Sequence, residues 1–115
     1  MNRVQKLQLD LLGTVRWNAL DGRRVARDLD RHRGLWQAAF VTHMNPGGIL
    51  QALPHGEHYA DTLFILPSPG GESELLALAR SWEPSEIVWE GLGHHQHFEP
   101  IYGEPGRAVL RLWWD

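Results

Sequence analysis

The chain of 115 residues contains no cysteine. A disulfide scaffold, a zinc site built on thiolates and a cysteine nucleophile are therefore excluded. The chain also lacks any apolar run that approaches the ~18 to 20 residues of a membrane span, and its first residues lack the apolar run of a signal peptide. We therefore expect a cytoplasmic protein with no membrane contact.

What the chain has in unusual number is tryptophan, with six residues. Because tryptophan is costly to expose, several should lie in a core, and such a high number also suggests one at an interface. Periodicity assigns four of them to the core: Trp36, Trp82, Trp89 and Trp114. The length predicts one domain, residues 1–115, that folds without a metal or a disulfide.

Charge is distributed unevenly. Residues 1–34 carry a net charge of +4 and residues 35–106 carry −8, an asymmetry that can steer partners or self-association. Arg23, Arg27 and Arg31 share one helical face that could contact phosphates, but Asp28 and Asp30 interrupt it and the isoelectric point is only about 6.1. We expect a solvated helix face and no nucleic acid partner.

The N-terminal half is expected to be helical. Val4, Leu7 and Leu11 fit helical spacing, although Leu7, Leu9 and Leu11 also alternate as in a strand; the lack of turn residues before Gly13 favours the helix. Further on, Asp21 is a plausible N-cap. A stripe of five residues then predicts a helix from about 21 to 42, bent or broken at Gly34: Val25, Leu29, His32, Trp36 and Phe40.

The second half is expected to alternate strands with one helix. Residues 49–53 and 62–66 are predicted strands, residues 72–82 a helix and residues 86–89 a strand, which makes 62–89 a β-α-β unit with a right-handed parallel crossover. A C-terminal strand, residues 107–114, turns Leu110, Leu112 and Trp114 to one side. The expected fold is therefore α+β: one or two N-terminal helices packed on a mixed sheet of about four strands.

Histidines supply the candidate metal ligands. Three lie in the long connection 91–106 and two in the connection before the second strand: His94, His95, His97, His55 and His58. Imidazole with carboxylate is a ligand set for zinc, iron, nickel or copper. The spacing fits no established zinc motif, and a solvated loop with locally bonded histidines is the alternative. We expect no cofactor, with a divalent metal at these histidines as the other hypothesis.

A candidate interaction surface is predicted around the terminal strand. Trp113 shares a face with Arg111, and an end strand offers unpaired backbone together with a large aromatic side chain. Phe98 and Tyr102 of the long connection are added to this surface. The alternative is that Trp113 lies under the domain's own helices.

The sequence contains no catalytic motif that names a reaction. We therefore expect a small non-enzymatic binding or regulatory module that acts through protein contact, as a homodimer, or through a small ligand. The alternative is a metal-binding protein or a metal-dependent enzyme that uses the loop histidines.

Overall fold

The structure, a computed structural model, describes residues 1–43, 46–91 and 108–115. The N-terminal part contains helix α1 (Arg3–Leu12), the hairpin strands β1 (Arg16–Trp17) and β2 (Leu20–Asp21), and helix α2 (Gly22–Arg31). The middle contains β3 (Trp36–Thr42), α3 (Pro46–Ala52) and β4 (Thr62–Pro67). The last part contains α4 (Glu72–Arg80), β5 (Glu86–Gly91) and β6 (Ala108–Trp113). The α+β class, the N-terminal helices and the C-terminal strand are confirmed.

The ambiguous N-terminal segment is the helix α1. Asn2 caps it, because its side-chain oxygen accepts a hydrogen bond from the backbone N–H of Gln5 at 2.8 Å. Leu9 and Leu12 are buried, whereas Val4 is 73% exposed. The helix is therefore where it was expected, but its buried side is not the apolar stripe that begins at Val4.

Helix α2 is much shorter than its apolar stripe predicts. Asp21 caps it by accepting a hydrogen bond from the backbone N–H of Arg24 at 3.3 Å. The helix ends at Arg31, and a single 3-10 turn (Arg33–Leu35) leads into β3. The prediction of one helix from about 21 to 42 is therefore wrong in its second half.

A β-bulge explains why β3 resembles a helix in sequence. Pairing between β3 and β4 shifts register between Trp36 and Ala38. A bulge adds one residue to a strand and so breaks the two-residue alternation of its faces. Trp36 therefore shares the buried side with Ala39 and Val41, at a spacing of three and then two residues.

Helix α3 replaces another predicted strand. Residues 49–53 lie in α3 and in the 3-10 turn (Leu53–His55) that follows it. Pro46 occupies the first helical position, where its missing N–H leaves no bond unmade. A short apolar run does not by itself distinguish a strand from a helix, and here Leu50 is 70% exposed. Among the described residues no helix is long and apolar enough to cross a membrane.

The four longer strands form one sheet in the order β3-β4-β6-β5. Each of the three ladders in it is antiparallel. Because β4 and β5 both run against β6, they run parallel to each other and α4 joins them, as the predicted β-α-β unit requires. The difference is that β6 lies between them, so the described pairs are all antiparallel where a mixed sheet was expected.

One face of the sheet carries the main core, together with buried leucines from α1, α2 and α4. Three tryptophans belong to it, and each indole N–H has an acceptor. Trp36 donates to the carbonyl oxygen of Leu29 at 2.8 Å, and Trp82 donates to Oδ2 of Asp28 at 2.9 Å. Trp114 donates to the carbonyl oxygen of Trp82 at 3.1 Å. The core assignment of these three tryptophans is confirmed.

The other face of the sheet carries a smaller cluster that comes from strands alone. Leu66 and Val109 are buried, and Ala38 and Phe64 pack against them. The rings of Phe40 and Phe64 stack with their centroids 5.0 Å apart. The outer face of the sheet continues across β6 onto β5.

Candidate interaction surface

Two glutamines of α1 close the outer edge of β3. Nε2 of Gln5 donates to the carbonyl oxygen of Ala39 at 2.6 Å, and Oε1 of Gln5 accepts from the N–H of Ala39 at 3.0 Å. Oε1 of Gln8 accepts from the N–H of Val41 at 3.2 Å. Residues three apart share one side of a helix, so both glutamines reach the same strand. Helix α1 thus satisfies backbone groups that a further strand would otherwise bind.

Strand β5 forms the opposite edge, and it is built differently. Among the described residues it pairs with β6 alone, in an unbroken ladder from Glu86–Trp113 to Gly91–Ala108. It contains neither lysine nor proline, its two charged residues, Glu86 and Glu90, both pair with Arg111, and its ladder has no bulge. In the part of the chain that the structure describes, β5 is therefore the last strand of the sheet.

Trp89 lies on this open edge and is 37% exposed. Its assignment to the core is wrong, because an edge strand has a neighbour on one side only. Its ring borders a depression of about 180 Å³ that is also lined by Glu72, Ser73 and Leu76 of α4. A large, partly exposed aromatic ring is typical of a protein–protein interface.

Arg111 neutralises the acidic residues of β5 on the outer face. Its Nε donates to Oε1 of Glu90 at 2.7 Å, and its Nη2 donates to Oε1 of Glu86 at 2.7 Å. The hydrogen bond to Glu90 and then the one to Glu86 raise the pKa of Arg111. Val88 lies opposite Arg111 in the ladder, so the guanidinium group spans the strand between the two carboxylates.

The predicted surface around the terminal strand is only partly described. Strand β6 is an interior strand, so the expectation that it presents an unpaired edge is wrong. Arg111 and Trp113 share its outer face as predicted, and Nε1 of the half-buried Trp113 donates to Oδ2 of Asp61 at 3.4 Å. Phe98 and Tyr102 lie outside the described residues. A direct role for these four residues in an interface stays a prediction.

Of the five candidate metal ligands, the structure describes two. His55 is exposed in the 3-10 turn after α3, and His58 is half-buried. Burial, and then repulsion from His43, lower the pKa of His58. Within the described ranges no group of three His, Cys, Asp or Glu side chains is placed to hold a metal ion. The other three candidates lie outside those ranges, and the metal hypothesis stays a prediction there: His94, His95 and His97.

His43 and Asp61 form a polar pair that sequence patterns did not indicate. Nε2 of His43 lies 3.8 Å from Oδ2 of Asp61, which is longer than a hydrogen bond. Asp61 is only 7% exposed, and its Oδ1 accepts from the hydroxyl of Thr62 at 2.8 Å. The indole of Trp17 meets His43 edge-on, with centroids 5.8 Å apart. Because these residues are distant in sequence, no local spacing could have revealed a cluster that joins the ends of β3 and β4 to the hairpin.

Comparisons of the chain with protein-family models, with curated proteins and with solved structures found no match. The function is therefore inferred from the geometry of the molecule. Its clearest feature is the difference between the two edges of the main sheet.

Proposed function

We propose that this chain is a non-enzymatic protein-interaction module that forms a homodimer through the open edge of β5. The observation that carries the proposal is the contrast between the edges. Gln5 and Gln8 occupy the backbone groups of β3, whereas β5 presents a continuous, bulge-free edge beside the exposed ring of Trp89. A regular edge strand of this kind is a template for pairing with another chain.

A second copy fits this edge because β5 can pair with itself. Antiparallel pairing about a two-fold axis would bring the same six-residue strand from both copies together and extend two sheets into one. Trp89 and Leu76 would then lie near the axis on the helical side of the sheet. On the outer side each pair of glutamates already shares one arginine, which lowers the repulsion between the two strands.

The size of the contact sets the expected affinity. A six-residue strand with a few flanking side chains forms a small interface, and interfaces of that class are reversible rather than obligate. We therefore expect a monomer–dimer equilibrium with a dissociation constant on the order of micromolar.

Light scattering coupled to size-exclusion chromatography, over rising protein concentration, tests the proposal. The wild type should change from monomer to dimer mass, and Trp89→Lys should remain a monomer, because it loses the ring and adds two like charges at the axis. Leu50→Lys likewise replaces an exposed apolar side chain by lysine, but on α3, and should dimerise like the wild type. A wild type that stays monomeric, or a Trp89→Lys variant that dimerises normally, would contradict the proposal.

A further inference from the structure

The start of α2 and the β1–β2 hairpin form a basic concave surface. It is a depression of about 530 Å³ lined by four arginines and one aspartate, here named the arginine basin: Arg16, Asp21, Arg23, Arg24 and Arg27. Arg23 and Arg27 are one helical turn apart and therefore lie on the same side of α2. Arg16 comes from the hairpin, so the positive groups belong to two elements rather than to one helix.

Part of the positive charge in the basin is already paired. Arg16 forms an ion pair with Asp21 at 3.2 Å, and Arg24 lies 3.9 Å from Asp28. Asp21 also accepts the backbone N–H of Arg24. That hydrogen bond first, and the charge of Arg16 second, lower the pKa of Asp21, so its carboxylate stays ionised and committed to these two partners.

Arg23 and Arg27 are different. Both are exposed, and neither guanidinium group forms an ion pair or a side-chain hydrogen bond with any residue in the described ranges. Each therefore keeps a full set of planar N–H donors directed to solvent. Two such groups side by side can each bind a carboxylate through two parallel hydrogen bonds.

The backbone beneath the basin is fixed. The N–H of Gly22 donates to the carbonyl oxygen of Val15 at 3.0 Å, and a side chain at Gly22 would overlap the carbonyl oxygen of Leu12. The start of α2 is therefore held directly against the segment that leads into the hairpin. A ligand of the basin would have to order arginine side chains but not the main chain, which lowers the entropic cost of binding.

We propose that the arginine basin binds a short acidic segment of a partner protein, whose carboxylates pair with Arg23 and Arg27. This binding is separate from dimerisation through β5. Electrostatic complementarity is its basis, since the region 1–34 that holds the basin carries +4.

The charge of the remainder of the chain favours a peptide over a nucleic acid. Residues 35–106 carry −8 and the whole chain carries −3. A long polyanion would extend beyond the basin and be repelled by this net negative charge, whereas nucleic-acid-binding domains show a strong basic excess. A short acidic segment contacts the basin alone and avoids that repulsion, because charges more than about 10 Å away are largely screened at moderate salt.

Fluorescence anisotropy with a fluorescein-labelled oligoglutamate peptide, at about 0.1 M salt so that distant charges are screened, tests the proposal. The double variant Arg23→Gln, Arg27→Gln should bind the peptide at least about tenfold more weakly than the wild type, since charge-assisted hydrogen bonds are lost. The matched control, Arg3→Gln with Arg80→Gln, removes the same charge from exposed positions outside the basin and should bind within about twofold of the wild type.

Three results would overturn the proposal. The first is a wild type that does not bind the peptide, and the second is an equal loss of affinity in the two double variants, which would attribute the effect to net charge alone. A single-stranded DNA oligonucleotide of similar charge that binds more tightly, in a basin-dependent way, would assign the surface to nucleic acid instead. Circular dichroism shows whether each variant is folded, and the dimer mass measured by light scattering should be unchanged in both, which separates this proposal from the one about β5.

Discussion

The two edge strands of the sheet, β3 and β5, differ in what lies along their outer sides. Any edge strand exposes backbone donors and acceptors that another chain can bind. On β3 the side chains of Gln5 and Gln8 occupy those groups and a bulge distorts the strand. On β5 the ladder is regular, and β6 is the one strand that pairs with it in the described part of the chain. This difference is the basis for the proposal that a second copy binds along β5.

The largest effect that we expect is a loss of stability when the two glutamines that cover the β3 edge are removed. Gln5→Ala with Gln8→Ala removes three hydrogen bonds and leaves partly buried backbone groups of Ala39 and Val41 unsatisfied. The free energy of unfolding, measured by urea denaturation, should fall by about 3 kcal/mol. The variant should also self-associate more strongly than the wild type, because both edges would then be open.

The control for that variant is Gln51→Ala, which makes the same change on an exposed position of α3. It should alter stability by less than about 0.5 kcal/mol. Equal stability of the double variant and this control would mean that the glutamines do not close the edge.

Arg111 is the next largest test, and it concerns the open edge. Arg111→Met leaves the carboxylates of Glu86 and Glu90 without their shared cation, and the side chain of Glu90 is only 17% exposed. We expect a loss of about 2 kcal/mol in the free energy of unfolding, since a mostly buried charge loses its hydrogen bond. Dimerisation should weaken as well, because the glutamates of two copies would then repel each other.

Arg16→Met provides the comparison for Arg111. Its ion pair with Asp21 joins side chains that are 72% and 44% exposed, so water already solvates both charges. Its removal should cost less than about 1 kcal/mol. If thermal and urea denaturation show the same loss for Arg16→Met as for Arg111→Met, the special role given to Arg111 is incorrect.

The smallest expected effect is a pH dependence of the free energy of unfolding. It comes from His58, which lies near His43 at the end of β3. Burial and the neighbouring histidine lower the pKa of His58 in the folded protein. As the pH falls below the ordinary histidine pKa of about 6.5, the unfolded chain therefore binds a proton first and is stabilised. The free energy of unfolding should fall between about pH 7 and pH 5, and His58→Asn should make that fall smaller. An unchanged slope in the variant would show that His58 does not contribute.

Local chemistry explains why much of the fold was predictable from the sequence. Asp21 marks the start of α2 because a side-chain cap satisfies free N–H groups there. Leu110, Leu112 and Trp114 alternate in β6 because its two faces differ in burial. Helix α4 and the strands around it follow from the same periodicities.

The rest depends on contacts between distant segments. The bulge near Trp36 arises from pairing with β4, and it gave β3 the spacing of a helix. The insertion of β6 between β4 and β5 left Trp89 on an edge rather than in the core, and periodicity within β5 carries no information about its neighbours. Gln5 and Gln8 show no pattern of their own, since their role appears only when α1 lies along β3.

The most direct test of dimerisation through β5 is a distance measurement between spin labels in the dimer. Because the chain has no cysteine, Val88→Cys on β5 and Gln37→Cys on β3 each give one labelling site per copy. Pairing through β5 places the two β5 strands about 4.8 Å apart and the two β3 strands at opposite ends of an eight-stranded sheet, roughly 34 Å apart. Electron paramagnetic resonance should therefore show strong short-range broadening for labels at position 88 and a long distance for labels at position 37. A short distance at position 37 together with a long one at position 88 would mean that the two copies contact each other through β3. That result would contradict dimerisation through β5.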